Sequence, residues 1–140
     1  MDDFWNDAEI IHAYTRRQAI EDGVLVDLMQ PETKALVENA GIKVPVAMTA
    51  TAFSRCIWPI ENAEGEAWLK NQCQDLKGRL WDVLWMFRCA SHGQSTDTVL
   101  FQFIVQDWET KRRRRMTLKA VIHGGGQGEP VITIMLPEED

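Results

Sequence analysis

A chain of 140 residues with 45% hydrophobic and 26% charged residues carries enough apolar mass for one core without a disulfide or metal staple, so a single domain over residues 1–140 is expected. The net charge of −6 favours solubility and a partner protein with a basic surface, and argues against direct binding of phosphate backbones. Cys56, Cys73 and Cys89 are an odd set without CxxC spacing, Met1-Asp2-Asp3-Phe4-Trp5 lacks an export signal's basic and apolar regions, and no apolar run of 18 residues occurs; together these predict a reduced, cytoplasmic protein with no membrane segment.

In chain order, residues 1–13 read as a loosely docked acidic arm carrying Asp2, Asp3, Asp7 and Glu9. Residues 1–40 hold nine acids against three bases, which makes this arm the first candidate for meeting a basic partner. Thr15 and Gln18 form a capping box and Gly23 a C-terminal stop, so a short helix spans 16–22. Val24 to Leu28 reads as a strand, and Pro31 and Gly41 bracket a second helix. Ile42 to Ala47 alternates like a strand, but Pro45 cannot donate to a ladder, which predicts an edge strand or an extended connector. Thr49 or Thr51 caps a third helix bearing Phe53, Cys56 and Ile57, and Trp58-Pro59 ends it. Ile60 to Glu66 is polar and reads as an exposed loop, with Glu61, Glu64 and Glu66 as further partner-binding candidates.

A helical pattern resumes at Ala67 and runs into the most distinctive stretch, Gly78-Arg79-Leu80-Trp81-Asp82-Val83-Leu84-Trp85-Met86-Phe87-Arg88, with Gly78 a candidate break or kink. Leu76, Leu80, Val83, Leu84 and Phe87 share one stripe at 3.6 residues per turn, flanked by Trp81 and Trp85. That is a core helix, and its polar edge, Arg79, Asp82 and Arg88, is the only part left for function. After Ala90-Ser91-His92-Gly93 the period becomes two. Val99, Phe101, Phe103 and Val105 alternate with Leu100, Gln102, Ile104 and Gln106; Met116, Leu118, Ala120 and Ile122 alternate with Thr117, Lys119, Val121 and His123; Val131 to Leu136 is a third apolar run. The fold class is therefore α+β: short helices and one long central helix packed on a three- to four-stranded antiparallel sheet, formed mainly by the C-terminal meander.

Few chemistries survive inspection. Lys111-Arg112-Arg113-Arg114-Arg115 sits at a hairpin, where arginines either grip an anionic partner or keep strand edges apart. Gly124-Gly125-Gly126-Gln127-Gly128 is followed by a strand, not a helix, so it reads as a hairpin turn and not a phosphate cradle. His12, His92 and His123 share no metal-ligand spacing, and neither the serines nor the cysteines show an activated-nucleophile pattern. No catalytic residue, metal or cofactor is assigned.

Four stretches, Tyr14 to Asp27 (with Asp22-Gly23-Val24-Leu25-Val26-Asp27), Pro45 to Thr49, Gly78 to Met86 and Gly128 to Pro137, resemble a family of small uncharacterised bacterial proteins also carried by phages and plasmids. The stretch around residues 60–77 departs from that pattern. The resemblance implies no activity, but it implies a mobile-element setting, in which small acidic proteins block host factors. The expected function is thus a non-catalytic binding protein, an inhibitor of anti-CRISPR or other anti-defence type, directed at a host nucleic-acid-binding protein with a basic surface; a homodimer is a further expectation. The alternatives are a small ligand-binding or enzymatic domain, with a pocket between central helix and sheet lined by Arg79, Asp82 and His123, and a weak nucleic-acid binder using Arg112, Arg113, Arg114 and Arg115.

Overall fold

The structure, a computed structural model, describes residues 16–125 and 128–139. The acidic arm with Asp2, Asp3, Asp7 and Glu9, and the Thr15 cap, lie outside the described residues. Helix α1 covers 16–21 and ends where Gly23, at φ +78°, lets the Val24 N–H reach Ala19 and its own N–H reach Ile20, a glycine-terminated cap of the kind expected there. Strand β1 (Leu25–Asp27), helix α2 (Lys34–Asn39) and strand β2 (Val46–Thr49) follow. Thr49 accepts the Ala52 N–H and so starts α3 (Ala50–Ala52), which continues into a π-helical turn over Phe53–Ile57.

The five-stranded sheet has the order β1-β2-β5-β4-β3, with β3 at Thr98–Asp107, β4 at Arg112–Gly124 and β5 at Pro130–Met135. The C-terminal meander is there as expected, but the sheet is wider than three or four strands, because β2 inserts parallel to β5 and carries β1 with it. Pro45 did not push its segment to an edge. It stands one residue before β2, where its carbonyl accepts the Ile132 N–H and its missing donor costs nothing.

The long central helix is divided. Helix α4 (Ala63–Asn71) ends before Cys73, which takes φ +60°, and Asp75 then accepts the Gly78 N–H to start α5 (Leu76–Ser91). Gly78 lies inside the first turn of α5 and does not break it. The exposed loop is shorter than 60–66, since Asn62 caps the Gly65 N–H and α4 begins at Ala63. Glu64 and Glu66 occupy its first turn, where a carboxylate complements the helix dipole.

The buried stripe of α5, Leu80, Val83, Leu84 and Phe87, packs on Phe101, Phe103 and Leu118 of the sheet, with the Phe87 and Phe101 rings 5.7 Å apart. The opposite sheet face is partly covered by α1, whose Arg16 Nη1 donates to Thr133 Oγ1 at 2.8 Å. Helix α4 seats against the β3–β4 turn at Gly65, where an added Cβ would lie 2.7 Å from the Trp108 ring. Gly65→Ala gains roughly 1 kcal/mol of helix propensity and loses about 1–3 kcal/mol to overpacking, so a net loss of about 1 kcal/mol is expected in urea denaturation.

Candidate functional site

The most highly organised polar cluster of the described residues sits where β3 turns into β4. Alternation along β3 puts Asp107 on the core face behind Val105, and its side chain is fully buried. Arg55, from the π-turn, grips both its oxygens with bonds of 2.5 and 3.1 Å; Arg114 Nη1 and Thr110 Oγ1 also donate to Oδ2, and the Glu109 N–H donates to Oδ1 and closes the turn. Burial alone would raise this carboxyl, but the hydrogen bonds from Arg55, Thr110 and Glu109 more than offset it and hold it below the usual carboxylate range. Trp108 stands beside the cluster, its indole N–H donating to the Ser54 and Arg55 carbonyls.

Arg79 is a second internal fastener. Expected on a polar edge, it is instead buried, because the end of the π-turn leaves carbonyls that need donors. Its guanidinium donates to the Cys56, Ile57 and Gln106 carbonyls at 2.6 to 2.9 Å, and burial lowers its affinity for the proton without removing the charge. Asp82 remains at the surface, its carboxyl raised by partial burial and pulled back by Arg79. Arg88 runs beside Gly41 at the end of α2 and reaches the His92 ring. Arg79, Asp82 and His123 are not brought together: His123 lies on the other sheet face, bonded to Thr133.

Strand alternation splits the arginine run. β4 begins at Arg112 instead of Met116, so Arg112 and Arg114 share the core face with Asp107 while Arg113 and Arg115 point to the opposite face. Arg114 is committed to Asp107, whereas Arg112, Arg113 and Arg115 are exposed. Glu66 pairs with Lys70 at 3.1 Å, Glu61 and Glu64 are exposed, and the Lys111 ammonium lies over the Trp68 ring. Among the described residues no three His, Cys, Asp or Glu side chains gather as a metal site requires.

The space between α5 and the sheet is filled by core side chains; clefts open at its margin. One of about 560 Å³ is lined by Asp82, Trp85, Met86, Gln102, Ile104 and Arg115, and another continues along Cys89 and Leu100. This margin holds the large exposed apolar side chains of α5 and β3: Trp85 (46%), Met86 (40%), Leu100 (62%) and Ile104 (53%). A further cleft on the opposite sheet face, about 660 Å³, is walled by α1 and floored by Val121, His123, Thr133 and Met135.

Sequence reasoning missed Asp107 and Arg55, which stand 52 residues apart and belong to no local motif. The exposed strip was half visible, since Leu100 and Ile104 are apolar on the face of β3 that should be polar; Trp85 gave no such signal, reading as a flank of the buried stripe.

Replacing Asp107 by Asn leaves Arg55 without its bidentate partner and is expected to cost about 2–4 kcal/mol in urea denaturation. Because the folded carboxyl titrates lower than the unfolded one, its contribution is complete above about pH 4 and is lost as pH falls below that. Acid destabilisation should therefore be shallower in Asp107→Asn than in the natural chain. The Cys56 thiol is pushed up to about 12 by burial, while Cys73 and Cys89 are exposed. A thiol reagent at neutral pH is expected to modify Cys73 in the folded chain, and Cys56 only after denaturation.

No curated protein and no solved structure matches the chain. Among the described residues no helix is long and apolar enough to cross a membrane. One family model, a family of unknown function (DUF6573), matches residues 1–140, and the chain belongs to that family.

Proposed function

We propose that this chain is a non-catalytic protein-binding domain that uses the margin between α5 and β3 as its interaction surface. One observation carries the reading. The buried charges, Asp107 and Arg79, are spent on internal bonds, whereas Trp85, Met86, Leu100 and Ile104 stay exposed and line two adjoining clefts at this margin. An apolar centre with an aromatic, rimmed by Asp82, Gln102 and Arg115, has the anatomy of a protein interface.

The setting implied by the resemblance to phage- and plasmid-borne proteins supports an inhibitor of a host nucleic-acid-handling protein, of anti-CRISPR or other anti-defence type. The acidic N-terminal half would then meet that partner's basic surface, with Glu61 and Glu64 as exposed contributors on the described part of the chain. In affinity capture with mass spectrometry from a bacterial host, Trp85→Ala and Ile104→Lys are expected to lose the same partner set at least tenfold, with the folded far-UV spectrum retained. An unchanged partner set in both variants contradicts this reading.

A further inference from the structure

The sheet has two edges, and they differ. β1 is three residues long and carries Asp27, a short, charged edge of the kind that resists pairing. β3 is ten residues long, and from Thr98 to Gln106 it contains no charge, proline or glycine.

The direction of its backbone groups follows from the ladder. The Ile122 N–H donates to the Asp97 carbonyl, so the odd-numbered residues of β3 face β4 and the even-numbered ones face outward. The two ends of that outward row are already closed by the chain itself: Thr96 Oγ1 donates to the Thr98 carbonyl and Arg79 Nη1 to the Gln106 carbonyl. Between them Leu100, Gln102 and Ile104 point their N–H and C=O groups away from the sheet.

Among the described residues no further strand pairs with this section; it is centred on Gln102, and so is the sequence. Val99-Leu100-Phe101-Gln102-Phe103-Ile104-Val105 reads nearly the same in both directions: valine matches valine, leucine matches isoleucine and phenylalanine matches phenylalanine around Gln102. An antiparallel strand related by a two-fold axis at Gln102 is therefore the chain's own complement.

We infer that the α5–β3 margin is occupied by a second copy of this chain, the two β3 strands pairing antiparallel about Gln102 to make one continuous ten-stranded sheet. Leu100 then faces the partner's Ile104 across the seam, Gln102 faces its own mate, and three outward pairs exchange six backbone hydrogen bonds. Charge permits it. The nearest cations, Arg115 beside Ile104 and Lys119 beside Leu100, lie one strand further out, so Arg115 and the mate's Lys119 stand roughly 14 Å apart, beyond the screening length. Trp85, Met86 and Cys89 of α5 line the same margin and close over the seam. The inference rests on reading this margin as a protein interface, and it makes the dimer the species that meets any further partner.

The test uses the purified full chain. Light scattering at micromolar concentration is expected to give twice the 16.0 kDa chain mass, and Ile104→Lys, a change at an exposed position, is expected to give the single mass with an unaltered far-UV spectrum. With Cys73 and Cys89 changed to Ser, Gln102→Cys is expected to be joined to its mate by a short bismaleimide. Thr98→Cys is not, because its mate lies roughly 27 Å away along the seam. A wild-type chain that stays monomeric at several hundred micromolar, or cross-linking at Thr98 and not at Gln102, overturns the inference. A monomer whose partner capture is still lost on Trp85→Ala overturns the dimer alone; a dimer whose capture survives that change overturns the partner-binding reading alone.

Discussion

A carboxylate buried at the end of a strand has to be matched, and Asp107 is matched by three separate segments. Arg55 comes from the π-turn, Arg114 from the next strand and Thr110 from the turn between the strands. The same corner receives Arg79, which ties α5 to the π-turn and to the carbonyl of Gln106. Two buried charged groups thus fix one point at which the helical layer, the β3–β4 hairpin and the π-turn meet. Hydrophobic burial along α5 supplies most of the stabilisation, but it is non-directional. The charged corner sets where the hairpin lies relative to the helices, and a missing partner there leaves an uncompensated buried charge.

That corner also shapes the surface. By holding α5 alongside the edge strand it places Trp85 and Met86 next to Leu100 and Ile104, and by spending a guanidinium on the Gln106 carbonyl it shortens the open part of the β3 edge. What remains is a short apolar section with a local symmetry centre, bounded at each end by the chain's own side chains. An edge of this kind is a liability in a monomer and an asset in an assembly, which is the physical link between the core and the proposed binding role.

Local signals were readable where one residue or one period decides the structure. Gly23 stops α1, Thr49 caps α3, and the two-residue period of residues 98–106 separates the buried valines and phenylalanines from the outer row. Two features were not readable because they depend on distant segments. Pro45 argued for an edge strand or an extended connector; it lies in the connector, and what could not be read is the parallel pairing of β2 with β5, which joins residues more than 80 positions apart. Arg79 looked like a surface charge, and only the carbonyls of Cys56 and Ile57, brought to it by the fold, make its burial favourable. The helical period from Ala67 onward concealed the break at Cys73, because both helices bury apolar residues at similar spacing. The candidate site was legible only as an oddity, leucine and isoleucine on a face that should be polar.

The claim that Asp107 pins the hairpin to the π-turn is tested most directly by a double-mutant cycle over Arg55→Met and Asp107→Asn, read as unfolding free energy in urea. The account predicts a coupling of about 2 kcal/mol or more, in the range found for groups within one buried network. Additive losses, with coupling near zero, would contradict it.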